Sequence, residues 1–165
     1  NSGWDEKEEV LEMRDGEGSH MLVLFRPEGC VINGFSNDYQ PGLKQELTKD
    51  LPLIFHNFIF GEPVKSIGTT FCMWTIENKK WQTGNVSEED GSEEMLAVFD
   101  GKISTYINWA AEYFETDVPE DVATKLYEGL PLTKSMVLSV NSDFEEWDQL
   151  QSDLEEIDYI YEQNK

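Results

Sequence analysis

The chain predicts an α+β fold: a small antiparallel sheet of three or four strands packed by several helices, with a helical C-terminal half. Three observations predict it. Short apolar runs punctuated by turn residues fill positions 21 to 76. Apolar residues recur at helical spacing from position 103 onward. With 165 residues, 39% hydrophobic and 12% aromatic, the chain can bury a core without disulfides or metal. We expect one domain over residues 1–165, with 1–20 as an N-terminal extension or a vector-derived segment. Gly18-Ser19-His20-Met21 has the look of such a vector remnant, although remnants ordinarily open a chain.

Residues 4 to 14 place Trp4, Val10 and Leu11 among acids, and we read a short helix there. Residues 1 to 17 are expected to be dispensable for the fold. Met21 to Arg26 and Cys30 to Phe35 read as a β-hairpin, because Pro27 and Gly29 suit a tight turn between two apolar runs. Both strands are apolar on both faces, which calls for cover from two sides. Residues 36 to 49 read as a loop. Leu51 to Phe60 is bounded by Asp50 and Pro52 before it and by Gly61 and Pro63 after it, which predicts a helix. Thr69 to Ile76 reads as a central strand, with Phe71 and Met73 facing one way and Cys72, Trp74 and Ile76 the other. Trp81 is expected to cap the same sheet, and residues 85 to 94 to form an acidic loop.

Beyond that loop, Ile103, Tyr106, Ile107, Ala110 and Phe114 form one helical stripe. Pro119, an Asp121–Lys125 pair four apart, and Gly129 then Pro131 frame a second helix. Met136 to Val140 suits a helix or a strand, with helix preferred. Ser142 and Glu145 have the spacing of a capping box. Trp147, Leu150, Leu154, Ile157 and Tyr161 then predict one amphipathic helix from 142 to 161. That stripe is expected to dock on its own domain, leaving a monomer or a weak dimer.

The formal charge of −22 is unevenly spread. Residues 21 to 84 hold six acids and six bases, whereas residues 85 to 165 hold 21 acids and four bases. Such a surface repels nucleic acid and anionic lipid, and no basic patch offsets it. It attracts basic proteins and speeds their association. Cys30 and Cys72 stand in apolar runs, and no basic n-region precedes an apolar stretch, so we expect free buried thiols and a cytoplasmic protein.

Chemistry-bearing patterns are sparse. His20, Cys30, His56 and Cys72 have the ligand count of a zinc site but lack its paired short spacing. Cys72 and His56 have no activating motif around them. The acids of residues 88 to 94 do not follow a calcium-loop pattern, and the glycines form no phosphate loop. We therefore assign no catalytic, cofactor or metal residues, and the balance is against an enzyme.

Two functional classes remain. In the first, an intracellular acidic domain binds a basic partner protein through Glu88, Glu89, Glu93, Glu94, Glu145, Glu146, Asp148, Glu155 and Glu156. A bacterial immunity or inhibitor protein that blocks a basic enzyme is its concrete form, similar in size and acidity alone. A DNA-mimic inhibitor is a neighbouring form. In the second, a small-ligand-binding protein or enzyme uses a pocket lined by Trp74, Trp81 and Trp109.

Overall fold

In the computed structural model, which describes residues 8–77, 79–86 and 89–162, the chain divides after Leu96 into two units. The first is built on an antiparallel sheet of β1 (Glu9–Arg14), β2 (His20–Arg26), β3 (Gly29–Phe35), β4 (Phe71–Ile76) and β5 (Gln82–Thr83). The strands lie in that order across the sheet. The α+β class holds, with five strands in place of three or four.

Both extra strands lack a strong sequence signal for a physical reason. β1 mixes Glu9, Glu12 and Arg14 with Val10, Leu11 and Met13, a pattern expected above to be helical. It instead pairs with β2 along its whole length, from Glu9 opposite Phe25 to Arg14 opposite His20. Trp4, assigned to the same expected helix, lies outside the described residues. β5 is held by only two residue pairs, Met73–Thr83 and Trp74–Gln82. Residues 18 to 21 belong to the β1–β2 connection and to β2 itself. The Asp15 carboxylate accepts the backbone N–H groups of Glu17, Gly18 and Ser19 at 2.8, 3.0 and 3.0 Å, and Ser19 and Met21 are buried.

The hairpin expected at residues 21–35 forms, with Arg26 opposite Gly29 and Pro27-Glu28 as its turn. Side-chain alternation then sorts the core onto two faces. On one, Leu22, Leu24, Val31, Cys72 and Trp74 pack with Leu51, Phe55, Phe58, Ile59 and Val64. Of these last, all but Val64 come from the segment expected to be helical. It is a 3₁₀ turn (Leu53–Phe55) running into α2 (His56–Phe60) and followed by α3 (Val64–Ile67). The preceding loop contains α1 (Lys44–Leu47). On the other face, Met21, Val23 and Phe71 pack with Met13, Cys30, Ile32, Met73, Met95 and Leu96. Met95 and Leu96 belong to α4 (Ser92–Leu96), which ends the expected acidic loop. Trp81, expected to cap the sheet, is 48% exposed.

Two details fix β3 against β4. Gly34 sits opposite Phe71, whose ring lies where a Cβ at Gly34 would stand, 2.1 Å away. Only glycine leaves room for that ring. Asn33 is fully buried, and its amide is satisfied in both directions. Its Nδ2 donates to the Gly68 carbonyl at 3.0 Å, and its Oδ1 accepts from the Thr69 hydroxyl at 2.7 Å. Asn33 is thus carried into the core with its amide hydrogen-bonded.

The second unit is mainly helical: α5 (Ile103–Phe114), α6 (Glu120–Tyr127), α7 (Lys134–Val140) and α8 (Trp147–Glu156). The Asp121–Lys125 pair forms at 2.9 Å. Met136 to Val140 resolves in favour of helix, with Thr133 as its cap accepting from the Met136 N–H at 3.3 Å.

The last helix is shorter than its stripe predicts. Ser142 donates to its neighbour Asp143 and makes no capping box, and residues 141–144 form a turn. At the other end Asp158 adopts φ 54° and the Tyr159 N–H bonds back to the Leu154 carbonyl at 2.8 Å. That left-handed residue stops the helix. The chain then runs extended, so that Tyr161 pairs with Leu132 across a short parallel ladder of β6 (Leu132–Thr133) and β7 (Tyr161–Glu162). Among the described residues, no helix is long and apolar enough to cross a membrane.

Candidate functional site

An acidic cleft opens on the first unit. Its position follows from the chain path: residues 38–42 come after β3, residues 89–91 lead into α4, and both segments line a space beside Phe71, Cys72 and Met73 of β4. One cavity, of about 460 Å³, is lined by Tyr39, Phe71, Met73 and Thr83 together with Val86 and residues 89 to 94. A second, of about 720 Å³, is lined by residues 38 to 42, Leu47, Thr70, Val86, Glu89 and Asp90. The two share Tyr39, Val86, Glu89 and Asp90.

Local bonds hold the walls in place. The Asp90 carboxylate accepts the Ser92 N–H at 2.9 Å, at the start of α4. Gly91 has φ 81°, and a Cβ there would stand 2.5 Å from Ser36 Cβ. A side chain at this position would thus meet both backbone strain and a clash. Across the cleft the Tyr39 hydroxyl donates to Glu94 Oε1 at 3.1 Å. That bond, with the charges of Glu89 and Asp38, pushes the phenol above its usual value.

Five carboxylates therefore surround this space: Asp38, Glu89, Asp90, Glu93 and Glu94. Among the described residues lining the two cavities there is no lysine, arginine or histidine. The walls can neutralise a guanidinium or ammonium group, and the Tyr39 ring offers it an aromatic face. Cys72 borders the cavity, but burial pushes its thiol up to about 12, which keeps it neutral and unreactive near pH 7.

The residues singled out from the sequence fall in several places. Glu89, Glu93 and Glu94 come together at the cleft; Glu88 lies outside the described residues. Glu145, Glu146, Asp148, Glu155 and Glu156 belong to the second unit, all exposed on or beside α8. Trp74 is 1% exposed, in the core beneath the sheet, and neither it nor Trp81 lines the two cavities. Trp109 belongs to α5 of the second unit. His20 bonds Glu12, His56 bonds the Leu51 carbonyl, and Cys30 and Cys72 face opposite sides of the sheet. Among the described residues no group of three or more His, Cys, Asp or Glu is placed to hold a metal ion.

Asp38 and Tyr39 carry no mark in the sequence beyond that of turn and loop residues. Their partner Glu94 is 55 positions away, and no local spacing encodes that meeting. No protein-family model, curated protein or solved structure matches the chain.

Proposed function

We propose that this protein is an acidic interaction module that binds a basic partner protein through the cleft of its first unit. One observation carries the reading: five carboxylates converge on that cleft with no basic side chain in its described walls. A cleft of one sign focuses its field and attracts cationic groups before contact. A lysine or arginine side chain entering it gains charge-assisted hydrogen bonds to the carboxylates. An immunity or inhibitor protein that occludes a basic enzyme is the concrete form such a module would take.

Stopped-flow association with an oligolysine peptide, between about 50 and 300 mM salt, tests the proposal. Screening lengths shorten over that range, so the wild-type rate should fall steeply. The variant Glu89→Gln/Asp90→Asn/Glu93→Gln/Glu94→Gln should associate roughly tenfold more slowly at low salt and show a flatter salt dependence. Equal rates for the two proteins at every salt concentration would remove the cleft from consideration.

A further inference from the structure

The second unit carries an aromatic face that the cleft does not explain. On α5, Tyr106, Trp109 and Tyr113 recur three and four residues apart. Trp109 stacks on Tyr113 with ring centroids 5.2 Å apart and 15° between planes. Phe114 meets both rings edge-on, at 5.7 and 4.8 Å. Tyr127 of α6 joins the group through Tyr106 at 6.0 Å. Buried rings would need no comment, but Trp109 is 37% exposed, Tyr113 48%, Phe114 57% and Tyr127 45%. Side chains of this size are ordinarily placed in a core or an interface.

The charges around the rings say what they would meet. From Ala97 to Pro131 the chain holds seven acids and two bases. Both bases are paired, Lys102 with Asp100 at 3.1 Å and Lys125 with Asp121 at 2.9 Å. Glu112, Glu115, Asp117, Glu120 and Glu128 have no cation in an ion pair among the described residues. Glu112 lies three residues beyond Trp109, about 60° round the helix, and Glu115 follows Phe114. We infer that this face docks an arginine-bearing segment of a basic protein, guanidinium planes stacking on Trp109 and Tyr113 while the flanking carboxylates take their N–H groups. Arginine suits the face better than lysine, because its planar group stacks on rings and forks onto carboxylates at once. A second copy of the chain would bring the same acids against one another. A bilayer with anionic lipid would be repelled as well.

The inference stands apart from the cleft, and the test separates the two. Full-length protein labelled with ¹⁵N at its tryptophan indoles is titrated with an Arg-Gly-Gly repeat peptide and with its Lys-Gly-Gly counterpart. Trp109→Phe assigns the indole signal. The Trp109 signal should shift with the arginine peptide, in the cleft-neutralised variant as well as in the wild type. The lysine peptide should bind about two- to fivefold more weakly at this signal. Glu112→Gln/Glu115→Gln, two exposed changes that leave the rings in place, should weaken the arginine peptide and flatten its salt dependence. An unmoved Trp109 signal, equal response to the two peptides, or self-association in sedimentation that accounts for the shift would each overturn the inference. Failure of the cleft variant alone would count only against the cleft.

Discussion

At the scale of single residues, the two cysteines give the protein an alkaline signature that follows from their burial. Cys30 packs under one face of the sheet and Cys72 under the other, so no bridge can join them within the chain. Cys72 is fully buried and Cys30 half-buried. Burial pushes the Cys30 thiol up to about 11. It pushes Cys72 to about 12, with the nearby Lys44 ammonium pulling weakly the other way. At pH 8 alkylation of both should be slow in the native protein and fast in denaturant, Cys72 being the slower, as mass spectrometry of timed samples would show. A raised folded pKa carries a sign. The stability these thiols contribute is complete below about pH 9, where unfolded thiols are protonated, and is lost as pH rises toward 11 and 12. Rapid native labelling of Cys72 at pH 8 would contradict this account.

At the scale of elements, α8 shows how far a periodic stripe can be trusted. Its inward residue Leu154 is buried, as the spacing predicts, whereas Ile157 is 68% exposed because the left-handed Asp158 ends the helix there. Leu154→Ala should therefore cost about 2–5 kcal/mol, and Ile157→Ala less than about 0.5 kcal/mol, in urea unfolding followed by circular dichroism. Equal effects would restore the longer helix. The hairpin, the strand from Phe71 and the helices α5 and α6 were legible because each writes its own local period, whereas the short run of α7 suited a strand as well as a helix until Thr133 capped it. β1, β5 and the end of α8 were not legible. β1 hides its strand period among Glu9, Glu12 and Arg14, β5 is held by two residue pairs alone, and Tyr161 is drawn out of the stripe by a ladder partner far back in the chain, Leu132. The cleft was half legible for the same reason. Glu89, Glu93 and Glu94 announce themselves as an acidic run, whereas Asp38 and Tyr39 join them only when residues 36–42 fold over β4.

At the scale of the molecule, the order of strands turns an acidic N-terminal stretch into a structural part. β1 covers the edge of β2 and contributes Val10 and Met13 to the two core faces. Residues 1–17, expected from the sequence to be dispensable, include this strand, so deleting them would bare the backbone of an apolar strand, Met-Leu-Val-Leu-Phe, and an open edge of that kind recruits other strands. The truncated protein should lose its cooperative thermal transition or precipitate on heating, and light scattering with calorimetry would show which. An unchanged transition would mean that β1 is an ornament of the sheet. The same order has a consequence in time. β1, β2 and β3 are joined by short turns and can zip together locally, but β4 reaches β3 only after residues 36 to 70 have folded back. Closing that long loop costs more chain entropy than closing the short turns, and pairings of such separation form more slowly in general. Until the loop is closed, the chain carries a half-built sheet whose Val31 and Ile32 are paired with β2 but open on the side that β4 will fill. The seating of Phe71 in the space left for it at Gly34 is thus also what closes the open edge of β3, an edge of the kind that pairs with other chains.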